Sequence, residues 1–207
     1  MLVATSFLSS KNPPRDLKLL DETDTDYIHV DVMDGKFVKN KTMPFSEMSK
    51  IYKYTKKRLD VHLMVDDASK YIKDYATLNS EYITIHVESK NVKDNLLLIK
   101  EYHVKPGLAI KPNTNVSEII PYLPLISEIL IMSVEPGMGG QEFIVDTKEK
   151  IKEIKQLVKE YKLPILINID GGINGDTIKY CSDCDMVVSG SYIINSDNFQ
   201  ERINSLR

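Results

Sequence analysis

Short runs rich in aliphatic and β-branched residues recur along the chain, separated by stretches whose apolar positions return every three or four residues. The runs fall at 2–8, 27–33, 59–65, 82–88, 106–110, 128–134, 164–170 and 186–191 and predict eight strands. Between and after them, helices are expected over about 14–20, 45–54, 68–78, 92–102, 116–123, 146–161, 175–181 and 197–206. The clearest helix carries Ile151, Ile154, Leu157, Val158 and Tyr161 on one face, and Asp146 with Glu149 has the spacing of a capping box. Strict strand–helix alternation with short connections means parallel strands joined by crossover helices. Eight such units in 207 residues leave no remainder for a second fold. The expected architecture is therefore α/β, a closed (β/α)8 TIM barrel forming one domain over 1–207.

Composition narrows the function classes. Hydrophobic residues make up 42% and charged residues 28%, as in a globular domain. Thirty acidic against 27 basic residues give a net charge of -3, which argues against a basic nucleic-acid footprint. No apolar run approaches the roughly 18–20 residues of a membrane span. The first residues lack a basic n-region and a cleavage pattern, so no signal peptide is expected. Two cysteines make no disulfide framework and suit a reducing, cytoplasmic setting. Cys181 and Cys184 have C-x-x-C spacing, but without a second pair they are read as packing residues. The lysine-rich 53–58 run reads as a solvated helix end, Tyr52, Tyr54, Tyr71 and Tyr75 as helix packing against the barrel or a subunit contact, and His103 as an exposed helix residue.

Strand phase then sorts the polar residues. In the second strand His29, Asp31 and Met33 oppose Ile28, Val30 and Val32; in the third Asp60, His62 and Met64 oppose Val61, Leu63 and Val65. Thr84, His86 and Glu88 share a face in the fourth, Asn168 and Asp170 in the seventh, and Ala4, Ser6 and Leu8 in the first. The aliphatic faces belong against the helices, so the polar set points into the barrel, late in its strands, where barrel active sites form. Taken singly, a buried histidine is usually a hydrogen-bonded core residue and a strand-end aspartate a cap. Taken together, two carboxylates and two imidazoles inside one barrel are costly unless a cation neutralises them. His29, Asp31, His62 and Asp170 are thus read as a divalent-metal site, and His₂Asp₂ ligation suits Zn, Fe, Mn or Co alike. His86 is expected to support it from behind.

Glycines form a second constellation. Gly171-Gly172 follow Asp170, Gly190 lies in Ser189-Gly190-Ser191, and Gly137-Met138-Gly139-Gly140 lie after the sixth strand. Loops seven and eight of barrels commonly take phosphate on backbone N–H groups, and the sixth reads as a loop over the mouth. Together they imply a small phosphorylated substrate.

With these residues in place, the sequence resembles the ribulose-phosphate 3-epimerase family over nearly its whole length. The resemblance is carried by Ser6-Phe7-Leu8-Ser9, His29-Val30-Asp31-Val32-Met33-Asp34-Gly35-Lys36-Phe37-Val38, Asp60-Val61-His62-Leu63-Met64-Val65, 134–141, Ile169-Asp170-Gly171-Gly172-Ile173 and Ser189-Gly190-Ser191. It implies a barrel of the ribulose-phosphate-binding type that interconverts D-ribulose 5-phosphate and D-xylulose 5-phosphate in the pentose phosphate pathway. Asp31 and Asp170 are implied as the acid/base pair, with Asp31 accepting the proton in the ribulose-to-xylulose direction, and His29, Asp31, His62 and Asp170 as metal ligands. Implied substrate contacts are Ser6, His62, Gly137, Met138, Gly139, Gly140, Gly171, Gly172, Gly190 and Ser191, with Met33, Met64 and Met132 lining the site. A homo-oligomer is also implied. The chain departs from the family at Lys39, usually Pro, at Met43, commonly Gly, and at Met138, usually Phe. These rim changes leave a six-carbon ketose phosphate such as allulose 6-phosphate, or another sugar-phosphate barrel reaction, as the alternative.

Overall fold

A computed structural model describes residues 1–207. Eight parallel strands, β1 (Leu2–Ser6), β2 (Tyr27–Met33), β3 (Arg58–Met64), β4 (Ser80–His86), β5 (Lys105–Ile110), β6 (Glu128–Met132), β7 (Leu166–Asp170) and β8 (Met186–Ser189), close into a barrel in chain order. Helices α1 (Pro13–Asp21), α2 (Phe45–Ile51), α3 (Ser69–Ala76), α4 (Val92–Glu101), α5 (Thr147–Tyr161), α6 (Ser191–Ile194) and α7 (Phe199–Asn204) connect the strands and follow the last. This is the TIM barrel that the alternation predicts. No helix is long and apolar enough to cross a membrane.

The differences from the predicted elements have local causes. The helix expected over 116–123 is a 3₁₀ stretch, Val116–Leu125, because Pro121 and Pro124 cannot donate to an α-helical ladder. The segment expected helical over 175–181 forms only the 3₁₀ turn Ile178–Tyr180, and the helix over 45–54 tightens to 3₁₀ from Tyr52 onward. Asp146 forms no capping box: its backbone is already helical, and its carbonyl, not its side chain, takes the Glu149 N–H at 3.1 Å. β1 stops at Ser6, so Leu8 lies beyond it and is exposed, while His103 sits at φ 60° in the turn after α4. Tyr54 is exposed, whereas Tyr52 and Tyr75 are buried against helices as expected.

The main core lies outside the barrel wall. Forty-five buried residues, including Ile28, Val30, Val61, Leu63, Ile83, Ile85, Ile167 and Ile169, pack between the strands and the helices. The barrel interior is divided. Ala4, Ala109, Leu130, Met132, Met186 and Val188 make an aliphatic sector on β1, β5, β6 and β8. His29, Asp60, His62, Thr84, His86, Glu128 and Asn168, all buried, form the polar remainder, mostly on β2, β3, β4 and β7. The ladders are uneven: β2 and β3 are in register over seven residue pairs, β7 and β8 over three.

Candidate active site

Register places the polar residues before any side chain is considered. Ser6 stands beside His29, His29 beside Asp60, Asp31 beside His62 and Met33 beside Met64, while Met132 stands beside Asp170. His29, Asp31, His62 and Asp170 converge so that one ligand atom from each lies within 4.8 Å of every other. Asp31 Oδ1 is 3.4 Å from His29 Nε2 and 3.4 Å from His62 Nδ1. Asp170 Oδ2 is 3.9 Å from the same two nitrogens.

Two observations test whether a metal fits. Ligands held about 2.0–2.1 Å from a tetrahedral ion stand roughly 3.3–3.4 Å apart, close to the spacing of these atoms. His29 Nε2 and His62 Nδ1 are buried without any hydrogen-bond partner, an expensive state for a ring nitrogen unless its lone pair has a cation to face. The N/O donor set is that of a transition-metal site, so this cluster can hold a divalent ion.

The ring nitrogens that face away from the cluster are all engaged. His29 Nδ1 pairs with Asp60 Oδ2 at 2.7 Å, and Asp60 Oδ2 also receives Asn168 Nδ2 at 3.4 Å. Asn168 donates in addition to Glu128 Oε1 at 2.9 Å, and Thr84 Oγ1 donates to Glu128 Oε2 at 2.6 Å. Gly107, between Thr84 and Glu128 in register, leaves the space for that bond, since a Cβ there would lie 2.0 Å from the Thr84 hydroxyl. His62 Nε2 meets His86 Nε2 at 2.8 Å, and His86 Nδ1 meets Glu88 Oε2 at 3.0 Å. Asp31 is further oriented by the Ser6 hydroxyl, which donates to its Oδ2 at 2.9 Å.

Electrostatics separate the two aspartates. Burial raises the Asp170 carboxyl, and the nearby Asp31 charge adds to this, bringing its pKa to about 6. Burial opposes ionisation of Asp31 as well, but the His29 ring beside it outweighs this and holds its pKa below the ordinary carboxylate value. Burial would likewise lower His29, yet Asp60 and Asp31 together raise it well above the usual imidazole value. The same field that retains a proton there attracts a metal cation. Burial lowers His86 to about 4, and it pushes Glu128, with help from Asp60, up to about 8.

Above the cluster opens a cavity of about 630 Å³. It is lined by Ser6, Asp31, Met33, Met64, Met132, Asp170, Gly137, Met138, Gly139, Gly140, Gly171, Gly172, Gly190 and Ser191. Of the residues expected to touch substrate or metal, only His29 and His62 do not border it. His29 borders an adjoining cavity of about 370 Å³ and His62 is buried below the mouth. Gly172 takes φ 65°, and any Cβ would lie 2.6 Å from the Phe143 N–H, so loop seven can support loop six closely only with glycine there. The C-x-x-C cysteines lie away from this site as buried free thiols, with burial raising Cys181 to about 12, which fits packing rather than redox work.

Sequence reasoning did not assign Asp60, Glu88, Glu128 or Asn168 a role. Their signal was strand phase: Asp60 and Asn168 share the inward face with His62 and Asp170, Glu88 with His86, and Glu128 with Leu130 and Met132.

Comparison with known proteins gives a consistent answer. The profile of the ribulose-phosphate 3 epimerase family matches residues 2–194. The chain is 37% identical over 214 residues to the ribulose-phosphate 3-epimerase of Synechocystis sp., covering all of this chain and 93% of that one. It is 37% identical over 210 residues to the enzyme of the same name from Helicobacter pylori, covering 100% and 97%. Among solved structures, KGPDC from Streptococcus mutans superposes with a TM-score of 0.71 at 12% identity, over 99% of this chain and 94% of that one. A tryptophan synthase from Mycobacterium tuberculosis gives 0.71 at 13% identity, over 99% and 90%. These two structures share the barrel fold.

Proposed function

The chain belongs to the ribulose-phosphate 3-epimerase family, and on that premise we propose that it interconverts D-ribulose 5-phosphate and D-xylulose 5-phosphate by proton transfer at C3. The observation that carries the reading is the pair Asp31 and Asp170. Both face one cavity, from β2 and β7, within the same cluster of candidate metal ligands.

Epimerisation inverts a carbon next to a ketone, so a proton must leave one face and another must arrive on the opposite face. A single base would return the proton to the face it came from. In the ribulose-to-xylulose direction the ionised Asp31, fixed by the Ser6 hydroxyl, accepts the C3 proton. Asp170, reaching the same cavity from β7, delivers one from the other side, and the roles reverse in the opposite direction. His29, Asp31, His62 and Asp170 would hold one divalent ion, Zn, Fe, Mn or Co, which supplies Lewis-acid stabilisation of the negative charge that develops on the substrate oxygens. Loop glycines Gly137, Gly139, Gly140, Gly171, Gly172 and Gly190, with Ser191, give the phosphate a cradle of backbone N–H groups. Met33, Met64 and Met132 supply an apolar, adaptable wall against the reacting carbons.

The test is turnover of D-ribulose 5-phosphate in D₂O. Deuterium at C3 of the product is expected, and its absence, with no xylulose 5-phosphate formed, overturns the reading. Side by side with allulose 6-phosphate, the same assay decides the carbon number. The family resemblance further supports a homo-oligomer of single-barrel chains, checked by light scattering, and the two buried free thiols fit a cytoplasmic setting.

A further inference from the structure

Behind the metal-ligand candidates, the polar groups that the proton transfer does not use fall into two separate chains. One runs from His29 through Asp60 and Asn168 to Glu128 and ends inside the barrel. The other runs from His62 through His86 to Glu88 and ends at the loop after β5. In the second, one backbone group at its far end sets the direction of every hydrogen bond back to His62.

That group is the N–H of Lys111, which donates to Glu88 Oε1 at 2.9 Å and cannot be reversed. The Thr114 hydroxyl donates to the same oxygen. The loop carrying both is pinned by Lys150 Nζ, which donates to the carbonyls of Lys111, Pro112 and Thr114 at 2.6–2.7 Å. The other carboxylate oxygen of Glu88 can only accept, so His86 Nδ1, 3.0 Å away, carries the proton. His86 Nε2 is then bare and must accept from His62 Nε2 at 2.8 Å. With its proton on Nε2, His62 presents a bare Nδ1 to the ligand cluster, the same nitrogen that has no hydrogen-bond partner and stands 3.4 Å from Asp31 Oδ1.

We propose that Glu88 is a positioning residue that acts through His86 to hold the proton of His62 on Nε2, keeping Nδ1 open to a cation. The inference rests on the reading of His62 as a metal ligand, but the placement of the proton can be measured without any metal.

The decisive variant is Glu88→Gln, which preserves shape. Lys111 N–H still demands an oxygen, so the glutamine amide NH₂ must turn toward His86 Nδ1. His86 then accepts on Nδ1 and donates from Nε2, and His62 is driven to carry its proton on Nδ1. In metal-free protein with ¹⁵N-labelled histidine, the wild type is expected to show His62 as the Nε2–H tautomer and E88Q as the Nδ1–H tautomer. Zn²⁺ affinity, read by competition with a chromophoric chelator, is expected to fall about 10–100-fold in E88Q. Thr114→Val removes a hydrogen bond from the same carboxylate without reversing the chain, and should keep the wild-type tautomer with affinity within about twofold. Glu88→Gln with the His62 proton still on Nε2, E88Q with unchanged Zn²⁺ affinity, or T114V shifting the tautomer as E88Q does, each overturns the proposal. A wild type and E88Q that differ in tautomer as described, with neither binding Zn²⁺, would uphold the relay and overturn the metal reading instead.

Discussion

Asn40 donates its side-chain amide to the carbonyl of Gly137 at 2.7 Å, which ties the loop after β2 to the loop after β6 across the barrel mouth. Val38 reinforces the clasp. Gly137 takes φ 112°, and a Cβ on it would lie 2.8 Å from that of Val38. A hydrogen bond of this kind contributes about 0.5–1.5 kcal/mol. Asn40→Ala should therefore raise KM for D-ribulose 5-phosphate roughly twofold to tenfold, with a smaller change in kcat, in steady-state kinetics.

The paired aspartates should fail separately. Asp31→Asn and Asp170→Asn each remove one proton acceptor without changing shape, and kcat is expected to fall about 10²–10⁴-fold in both. A coupled assay of xylulose 5-phosphate formation measures this. Full activity in either variant contradicts a two-base transfer.

Glu128 gives a pH-dependent stability prediction. Burial, then the charge of Asp60, raises its pKa to about 8 in the folded chain, against an ordinary value of 4.5. The folded state thus holds this proton more tightly than the unfolded state does. The stabilisation is fully present below about pH 4.5 and is lost as pH rises through about 8. Glu128→Gln carries no such penalty, so its stability relative to wild type should grow from about pH 5.5 to about pH 8.5, by on the order of a few kcal/mol. Urea denaturation of metal-free protein at both pH values reads it.

Metal removal should cost stability as well as activity. An ion bound only by the folded state adds about 2.7 kcal/mol when present at about 100 times its dissociation constant. Dialysis against a chelator is expected to lower Tm and abolish epimerisation, and stoichiometric Zn²⁺, Co²⁺, Mn²⁺ or Fe²⁺ should restore both. An unchanged Tm and rate after verified metal loss contradict the site.

Much of this was legible from strand phase. Two-residue alternation put His29, Asp31, His62 and Asp170 on one inward face, and eight strands then forced that face closed around them. Helix content was less legible where prolines intervened, as at Pro121 and Pro124, because periodicity reports burial and not the hydrogen-bond ladder. The supports behind the ligands were hidden for another reason. Whether Glu128 reaches Asn168, or His86 the ring of His62, depends on which strands neighbour one another and on the gap left by Gly107, and these are properties of the closed barrel rather than of any one segment.

The unequal ladders give the two halves of the site different mechanical characters. Asp31 is paired on one side only, with His62 of β3, because the β1–β2 ladder ends at His29, whereas Asp170 is paired on both sides, with Met132 of β6 and Val188 of β8. One carboxylate is braced by strands on both flanks, the other by one strand and the Ser6 hydroxyl. A catalyst that must address both faces of one carbon then holds one arm by backbone pairing on either flank and steadies the other through a side chain.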